Sequence, residues 1–410
     1  MKNIFLMCVV LLITGVCGIE TAAQFPKKIP KINKPKVEPS KTGGNQPGGD
    51  ATKPEAKTPS KTSSSKQVYE HEKPPVKPAL VKNSLYIQAE SHQQYWKMPK
   101  ERKFSSWVPK IGFDVYVHRD SEGFDYTAEY LNPDGSLWFS EPLRIGTYAA
   151  DKTIKLSSEY GKTQEMLETK STNAVGTYGV KITHKNTGET VFQGKFKVGK
   201  FQSEHQSGKN DFDFFVEHDW MLPFGYVGFH HSALNTDSGG FEIIPSVWLK
   251  GDLADGDLEG RVFYQGKQIA STKDGKGSGV NDSGDRTSKY GIYFKDTHYW
   301  KLWNFQFNNL RVDNGGNFNH DYYPEATYAD KKPGEYTVKI LHKGAEVREM
   351  KFTVGADGRI GDGGFGKQVF MPNYKVIVPV KVIGTSEKWN QTAWKTDAFY
   401  GNLLTGFNVP

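Results

Sequence analysis

The sequence predicts an all-β chain carrying two tandem β-sandwich repeats. Three observations lead there. The phrase "VGTYGVKITHKNTGETVFQGKFKVG", residues 175–199, returns as "PGEYTVKILHKGAEVREMKFTVG", residues 333–355. Within the copies, Tyr178, Val180 and Ile182 alternate with Gly179 and Lys181, and Tyr336, Val338 and Ile340 alternate with Thr337 and Lys339. A period of two marks a strand with one buried face. Helix signals are sparse: only "SSEYGKTQEMLETKS", from Ser157, offers an amphipathic turn or two, while Gly, Thr, aromatic and β-branched residues dominate elsewhere.

The N-terminus comes first. Lys2 precedes an apolar run from Ile4 to Val16, and small residues follow at Thr21, Ala22 and Ala23. This is a secretory signal peptide pattern over residues 1–24, with cleavage expected near Ala23. The run is 13 residues long, whereas a membrane-spanning helix needs about 20, so no transmembrane segment is expected. A lipid anchor on Cys17 is the competing possibility, but Val16 stands where a small residue should precede such a cysteine. Cys8 and Cys17 are the only cysteines. A processed chain would hold neither a disulfide nor a thiolate metal site.

Residues 25–82 carry 13 lysines against five acidic residues, and ten of the chain's 21 prolines. Such a composition buries too little apolar surface to order a core, so a disordered basic linker is expected. It is either a solvated spacer or a polycation that contacts anionic surfaces. The overall charge of +7 belongs to this segment, which leaves residues 83–410 at −1. A nucleic-acid partner is therefore not expected.

Each repeated phrase reads as a strand, a polar Gly-containing gap ("HKNTGET" or "HKGAE") and a second strand. Tyr and Phe are 18 positions apart in the first copy (Tyr178, Phe196) and 16 in the second (Tyr336, Phe352). The difference falls in the hairpin tip, where length variation costs little. Upstream, "WVPKIGFDVYV" and "IIPSVWLKGDL" align Pro109 with Pro245, Tyr130 with Tyr264, and Gly135 near Gly266. The expected repeats span 83–205 and 206–360. Residues 361–410 are too short for a third sandwich and are expected to pair back onto the second as strands, since an exposed half-sandwich would be an aggregation-prone edge.

This strand order resembles the immunoglobulin-like and fibronectin-III-like sandwiches of bacterial secreted and surface proteins. A Gly-x-Tyr-x-Val-x-Ile strand is similar to their penultimate strand, whose Tyr often bonds back to upstream backbone as a tyrosine corner. The resemblance implies corner roles for Tyr178 and Tyr336. Neither copy has the inter-sheet cysteine pair of antibody domains, and the resemblance brings no functional residues with it.

Chemistry-bearing motifs are few. "TDSGG", residues 236–240, has the Asp-Ser-Gly-Gly of a trypsin-like nucleophile loop, but no histidine has the matching context. Asp282–Gly284 repeats Asp-Ser-Gly within "KDGKGSGVNDSGDRTSK", which reads as a mobile loop rather than half of an aspartic-protease dyad. Asp252, Asp255, Asp257 and Glu259 lie within eight residues, and Asp255-x-Asp257-x-Glu259-Gly260 fits the first half of a calcium loop, yet Gly266 occupies the position of the closing acid. A solvated acidic hairpin is the alternative. His218, His230 and His231 lack the spacing of a helical zinc site, and neither a Walker loop nor a dinucleotide fingerprint is present.

Recognition, if any, is expected in what the second repeat adds. Gly266 and Gly334 lie 68 residues apart, against 41 for Gly135 and Gly176. The surplus includes Trp300, Trp303, Tyr322 and Tyr323, aromatic groups of the kind that stack on sugar rings. Trp303, Phe305 and Phe307 also alternate with Asn304 and Gln306, as core residues do. The sequence therefore reads as an exported, non-enzymatic binding or scaffold protein of the cell envelope or extracellular space. It is expected to be secreted, periplasmic or extracellular, with no cofactor and an unknown protein or glycan partner. The alternatives are a glycan-binding accessory protein using the aromatic insertion, and a hydrolase with an unrecognised cleft.

Overall fold

The computed structural model describes residues 79–81, 84–91, 106–116, 126–148, 153–158, 169–202, 212–229, 240–251, 253–275, 277–286, 300–313, 323–365, 376–384, 389–395 and 409–410. The chain divides into units 1–64 and 65–410, and all described residues fall in the second. The signal peptide with Cys8 and Cys17, nearly all of the basic linker and most of the stretch from Ser157 to Ser171 lie outside the described residues.

The fold is all-β, in two sheets. The first holds β1 (Ala79–Leu80), β2 (Tyr86–Ser91), β3 (Trp107–Tyr116), β4 (Tyr126–Leu131), β5 (Leu137–Tyr148), β6 (Thr153–Ser158), β7 (Gly176–His184), β8 (Thr190–Gln202) and β9 (Phe212–Val216). Its order is β1-β3-β6-β5-β4-β7-β8-β9, with β2 also on β3. The long strand β5 folds this ladder over: Leu137–Pro142 pair with β4, and Leu143–Tyr148 pair with β6. Two facing layers result. Trp107 of β3 meets Tyr178 of β7 edge-on at 5.0 Å between centroids, and Phe196 of β8 at 6.5 Å.

The second sheet holds β10 (Phe224–Phe229), β11 (Phe241–Lys250), β12 (Leu258–Tyr264), β13 (Lys267–Ser271), β14 (Gly279–Arg286), β15 (Trp300–Gln306), β16 (Leu310–Val312), β17 (Thr327–Tyr328), β18 (Gly334–His342), β19 (Ala345–Val354) and β20 (Val376–Val382). Its order is β13-β12-β18-β19-β20-β10-β11-β15-β14, with β16 on β11 and β17 on β16. The strand order of the first sheet recurs in it. β5-β4-β7-β8 corresponds to β13-β12-β18-β19, and β2-β3-β6 to β10-β11-β15.

Register fixes the equivalence residue by residue. Ala128 opposes Ile182 as Gly260 opposes Ile340, and Tyr130 opposes Val180 as Val262 opposes Val338. Tyr130 therefore matches Val262, not Tyr264. A slip of two keeps each side chain on its face, which is why the sequence alone tolerated the wrong alignment. Tyr178 lies opposite Phe196 and Tyr336 opposite Phe352, as stacked rings 5.9 and 5.5 Å apart. Both hairpins open on a glycine of positive φ, Gly176 at 148° and Gly334 at 141°, where a side chain would be strained.

The tips differ as the spacing indicated. In the second hairpin His342 pairs directly with Ala345, so Lys343 and Gly344 make a two-residue turn with φ of 50° and 82°. Two positive φ values match the twist of the flanking strands. The first tip is wider, closed by His184 N donating to Glu189 O.

One feature runs against the linear reading. Gly279–Arg286, expected as a mobile loop, is strand β14, whose Val280 and Asn281 pair with Phe305 and Asn304. Its polar sequence suits an edge strand, which needs no second apolar face. β20 seats between the first and last strands of its repeat: Val376–Pro379 pair with β10, and Val380–Val382 with β19. In the first sheet β9 extends β8 in the comparable direction. The passage between sheets falls at 217–223.

Candidate functional site

That passage is a buried polar junction. His218, Asp219, Trp220, Met221 and Leu222 are all buried, and Asp219–Met221 form a 3₁₀ turn. One Asp219 oxygen, Oδ1, accepts from Lys250 Nζ at 2.7 Å and from Trp300 Nε1 at 3.0 Å. The other accepts from the backbone N of Asn390 at 2.5 Å. The Lys250 ammonium also lies 4.9 Å from the Trp300 ring centroid. Glu217 completes the set, accepting from Asn390 Nδ2 at 2.9 Å and pairing with Lys197 at 3.2 Å. Burying a carboxylate costs least where a cation and several N–H donors surround it, as they do here.

The site assembles because β11 and β15 run beside each other, with Lys250 opposite Trp300. Trp300 and Leu302 are buried on one face of β15 and Trp303 and Phe305 on the other, so this layer is covered on both faces. Trp220 contacts Phe224 edge-on at 6.0 Å, and Phe215 of β9 lies 6.2 Å from Trp300. Trp300 is therefore a joint between repeats rather than a ligand platform. Its indole is 1% exposed, and Trp303, with Lys301 4.2 Å from its ring centroid, is 2% exposed. Neither offers a free face to a sugar ring. The alternation of Trp303 and Phe305 with Asn304 and Gln306 points to core, and Asn304 accepts from Ser246 Oγ within the sheet.

His218 adds a titratable group. Its Nδ1–H donates to Val216 O at 2.8 Å and the ring packs on Trp300 at 5.6 Å. Burial pulls its pKa down from 6.5 to about 4. The folded state thus prefers neutral His218, while the unfolded chain protonates it near pH 6.5. Its contribution is complete above pH 6.5 and is lost as pH falls toward 4, worth about 3 kcal/mol at 1.4 kcal/mol per pH unit. Urea unfolding at pH 7 and pH 4 should show a larger acid loss for the wild type than for His218→Asn. Equal losses would contradict it.

The other candidate residues are dispersed. Tyr322 and Asp252 lie outside the described residues, as do His230, His231 and residues 236–239 of "TDSGG". Tyr323 is half-buried, its ring centroid 4.0 Å from the guanidinium carbon of Arg311. Arg311, 2% exposed, donates to Gly240 O at 2.7 Å and to Asn308 Oδ1 at 3.2 Å, which fastens the insertion to the start of β11. Asp282 pairs with Lys301 at 2.9 Å. The described acids of the turn are each engaged locally. Glu259 accepts from Arg261 Nε at 2.7 Å, Asp257 lies 3.6 Å from Lys343, and Asp255 caps the N–H of Gly256. Arg261 is the largest cause of the lowered Glu259 pKa. Among the described residues no three potential ligands gather for a metal ion.

Tyr178 and Tyr336 occupy equivalent places. Tyr178 Oη donates to Ala174 O at 3.2 Å, and Tyr336 Oη to Lys332 O at 2.6 Å, each four residues upstream. Burial raises the pKa of both hydroxyls. Tyr336→Phe should cost about 1 kcal/mol of stability, and Tyr178→Phe, with the longer bond, less. Thermal unfolding of the two variants measures the ordering; a Tyr336→Phe variant as stable as the wild type would exclude a contribution from the hydroxyl.

Sequence reasoning missed Asp219, Lys250 and Asn390, and two further buried polar groups. Glu141 accepts from Tyr130 Oη at 2.8 Å and Ser158 Oγ at 2.7 Å, where β5 crosses between layers. Arg348, fully buried, opposes Ile340 where the first repeat sets Phe192 opposite Ile182, and it donates to Val347 O at 2.7 Å. The one available signal was "EHDW", residues 217–220, polar residues interrupting an apolar run.

The fold and these sites define an all-β protein of two sheets, and no described helix is long and apolar enough to cross a membrane. No family model and no curated protein matches the chain. Among solved structures, a chain described as a biofilm associated protein, BSP domain, is similar at 6% identity and a TM-score of 0.17. The similarity covers 76% of this chain and 60% of that one.

Proposed function

We propose that this chain is an exported, non-enzymatic scaffold or binding protein of the cell envelope or extracellular space, built on two immunoglobulin-like sandwiches. The observation that carries the reading is the duplicated strand order with its duplicated tyrosine bonds. Lettered along the chain, β2, β3, β4, first-half β5, second-half β5, β6, β7 and β8 become A, B, C, C′, D, E, F and G. The layers are then A-B-E-D and C′-C-F-G, and β10, β11, β12, β13, β14, β15, β18 and β19 take the same letters in the same order. Tyr178 and Tyr336 fall on strand F, where such sandwiches place a tyrosine corner. Export is supported by the leader pattern of residues 1–24.

The buried polar groups favour architecture over catalysis, since Asp219, Glu141 and Arg348 are each bonded to groups that hold strands or segments together. The test uses the chain from residue 24 onward. Saturable association with glycan, cell-wall or protein baits from its source, without turnover of hydrolysable probes, is the expected result. Turnover lost on mutating a described polar residue would overturn the reading.

A further inference from the structure

We propose that the C-terminal turn Gln391–Lys395, with Asn390 ahead of it, is a clasp that locks the two repeats into one rigid body. A seven-residue passage such as 217–223 would by itself permit a hinge. Here its two carboxylates are anchored on opposite sides. Glu217 belongs to the first repeat, its backbone N donating to Lys197 O at 2.9 Å and its carboxylate pairing with Lys197 Nζ at 3.2 Å. Asp219 belongs to the second, through Lys250 and Trp300.

Asn390 bonds to both. Its backbone N–H reaches Asp219 and its side-chain amide reaches Glu217, 171 and 173 residues away along the chain. The remaining side-chain atom, Oδ1, accepts from Thr392 N at 3.0 Å and so sets the turn, while Ala393 is fully buried behind it. An amide suits this position for a physical reason. It donates to the Glu217 carboxylate, so a donor is needed there and an acid would be repelled.

The clasp makes the pair a strut of fixed angle. The inference rests on the two-repeat reading of the fold and not on any binding activity, so a failed ligand screen leaves it standing. The experiment uses the full chain with spin labels at positions 193 and 353, one exposed site in each repeat. The unsubstituted chain should give one narrow distance and one calorimetric unfolding transition. Asn390→Ala and Asn390→Asp should broaden the distance or split the transition, Asp more than Ala, while Gln391→Ala on the same turn's exposed side changes neither. A wild-type distance distribution with a single transition in both Asn390 variants, at whatever temperature, overturns the clasp. Should either variant fail to fold, Glu217→Gln is read by the same two criteria.

Discussion

Replacing Asp219 by alanine is expected to lower the unfolding free energy by about 3 to 5 kcal/mol, because it breaks a buried ion pair from one side. Asp219 and Lys250 are 4% and 10% exposed at their side chains, 2.7 Å apart. Without the carboxylate, the Lys250 ammonium, the Trp300 indole N–H and the Asn390 backbone N–H lose this acceptor together. Asp219→Asn keeps the shape but offers one carbonyl oxygen to three donors, so it should fall between wild type and alanine. Urea unfolding at pH 7 gives the values, and salt provides a second reading. A surface pair weakens between low and physiological salt, whereas a buried one is little screened. A loss below about 1 kcal/mol for Asp219→Ala would mean that Lys250 reaches water in the folded state.

Trp107→Ala should cost about 3 to 5 kcal/mol, the range for emptying a fully buried large aromatic site. Trp107 is 0% exposed and touches Trp138 and Tyr178 edge-on at 5.3 and 5.0 Å. Its Nε1 donates to Ala174 O at 2.9 Å, the same carbonyl that accepts from Tyr178 Oη. The substitution thus removes packing between the layers and one of two bonds holding the corner. Trp107→Phe should recover most of the packing but not the bond, leaving a deficit of about 1 kcal/mol. An unfolding curve for Trp107→Ala that overlays the wild type would show that the cavity collapses without penalty.

What the sequence could determine was local. The hairpins at 176–202 and 334–354, the two-residue difference in their tips and the tyrosine bonds to carbonyls four positions upstream all depend on neighbours within a few residues. Alternation along one strand is sufficient to reveal the hairpins, whereas the tyrosine bonds to upstream backbone are what the resemblance to immunoglobulin-like sandwiches implies. The same reasoning placed Trp300 and Trp303 only as far as a choice between core and surface, because alternation shows which residues share a face and not what covers it. Burial of Trp300 required β9 and the 217–223 passage to converge on a sheet layer whose other face, carrying Trp303, was already packed.

Tertiary structure alone decided the rest. Whether β5 would serve one layer or cross between two depended on which strands met its halves. Whether β20 would extend an edge or fill the gap between β10 and β19 depended on partners more than a hundred residues apart. The junction is the extreme case: Asp219 is completed by Lys250, Trp300 and Asn390, at separations of 31, 81 and 171 residues. Each is an ordinary polar residue in its own segment, and their pairing follows from the cost of leaving any of them buried without the others. That cost is incurred only once the chain has folded, so it leaves no periodic mark in the sequence.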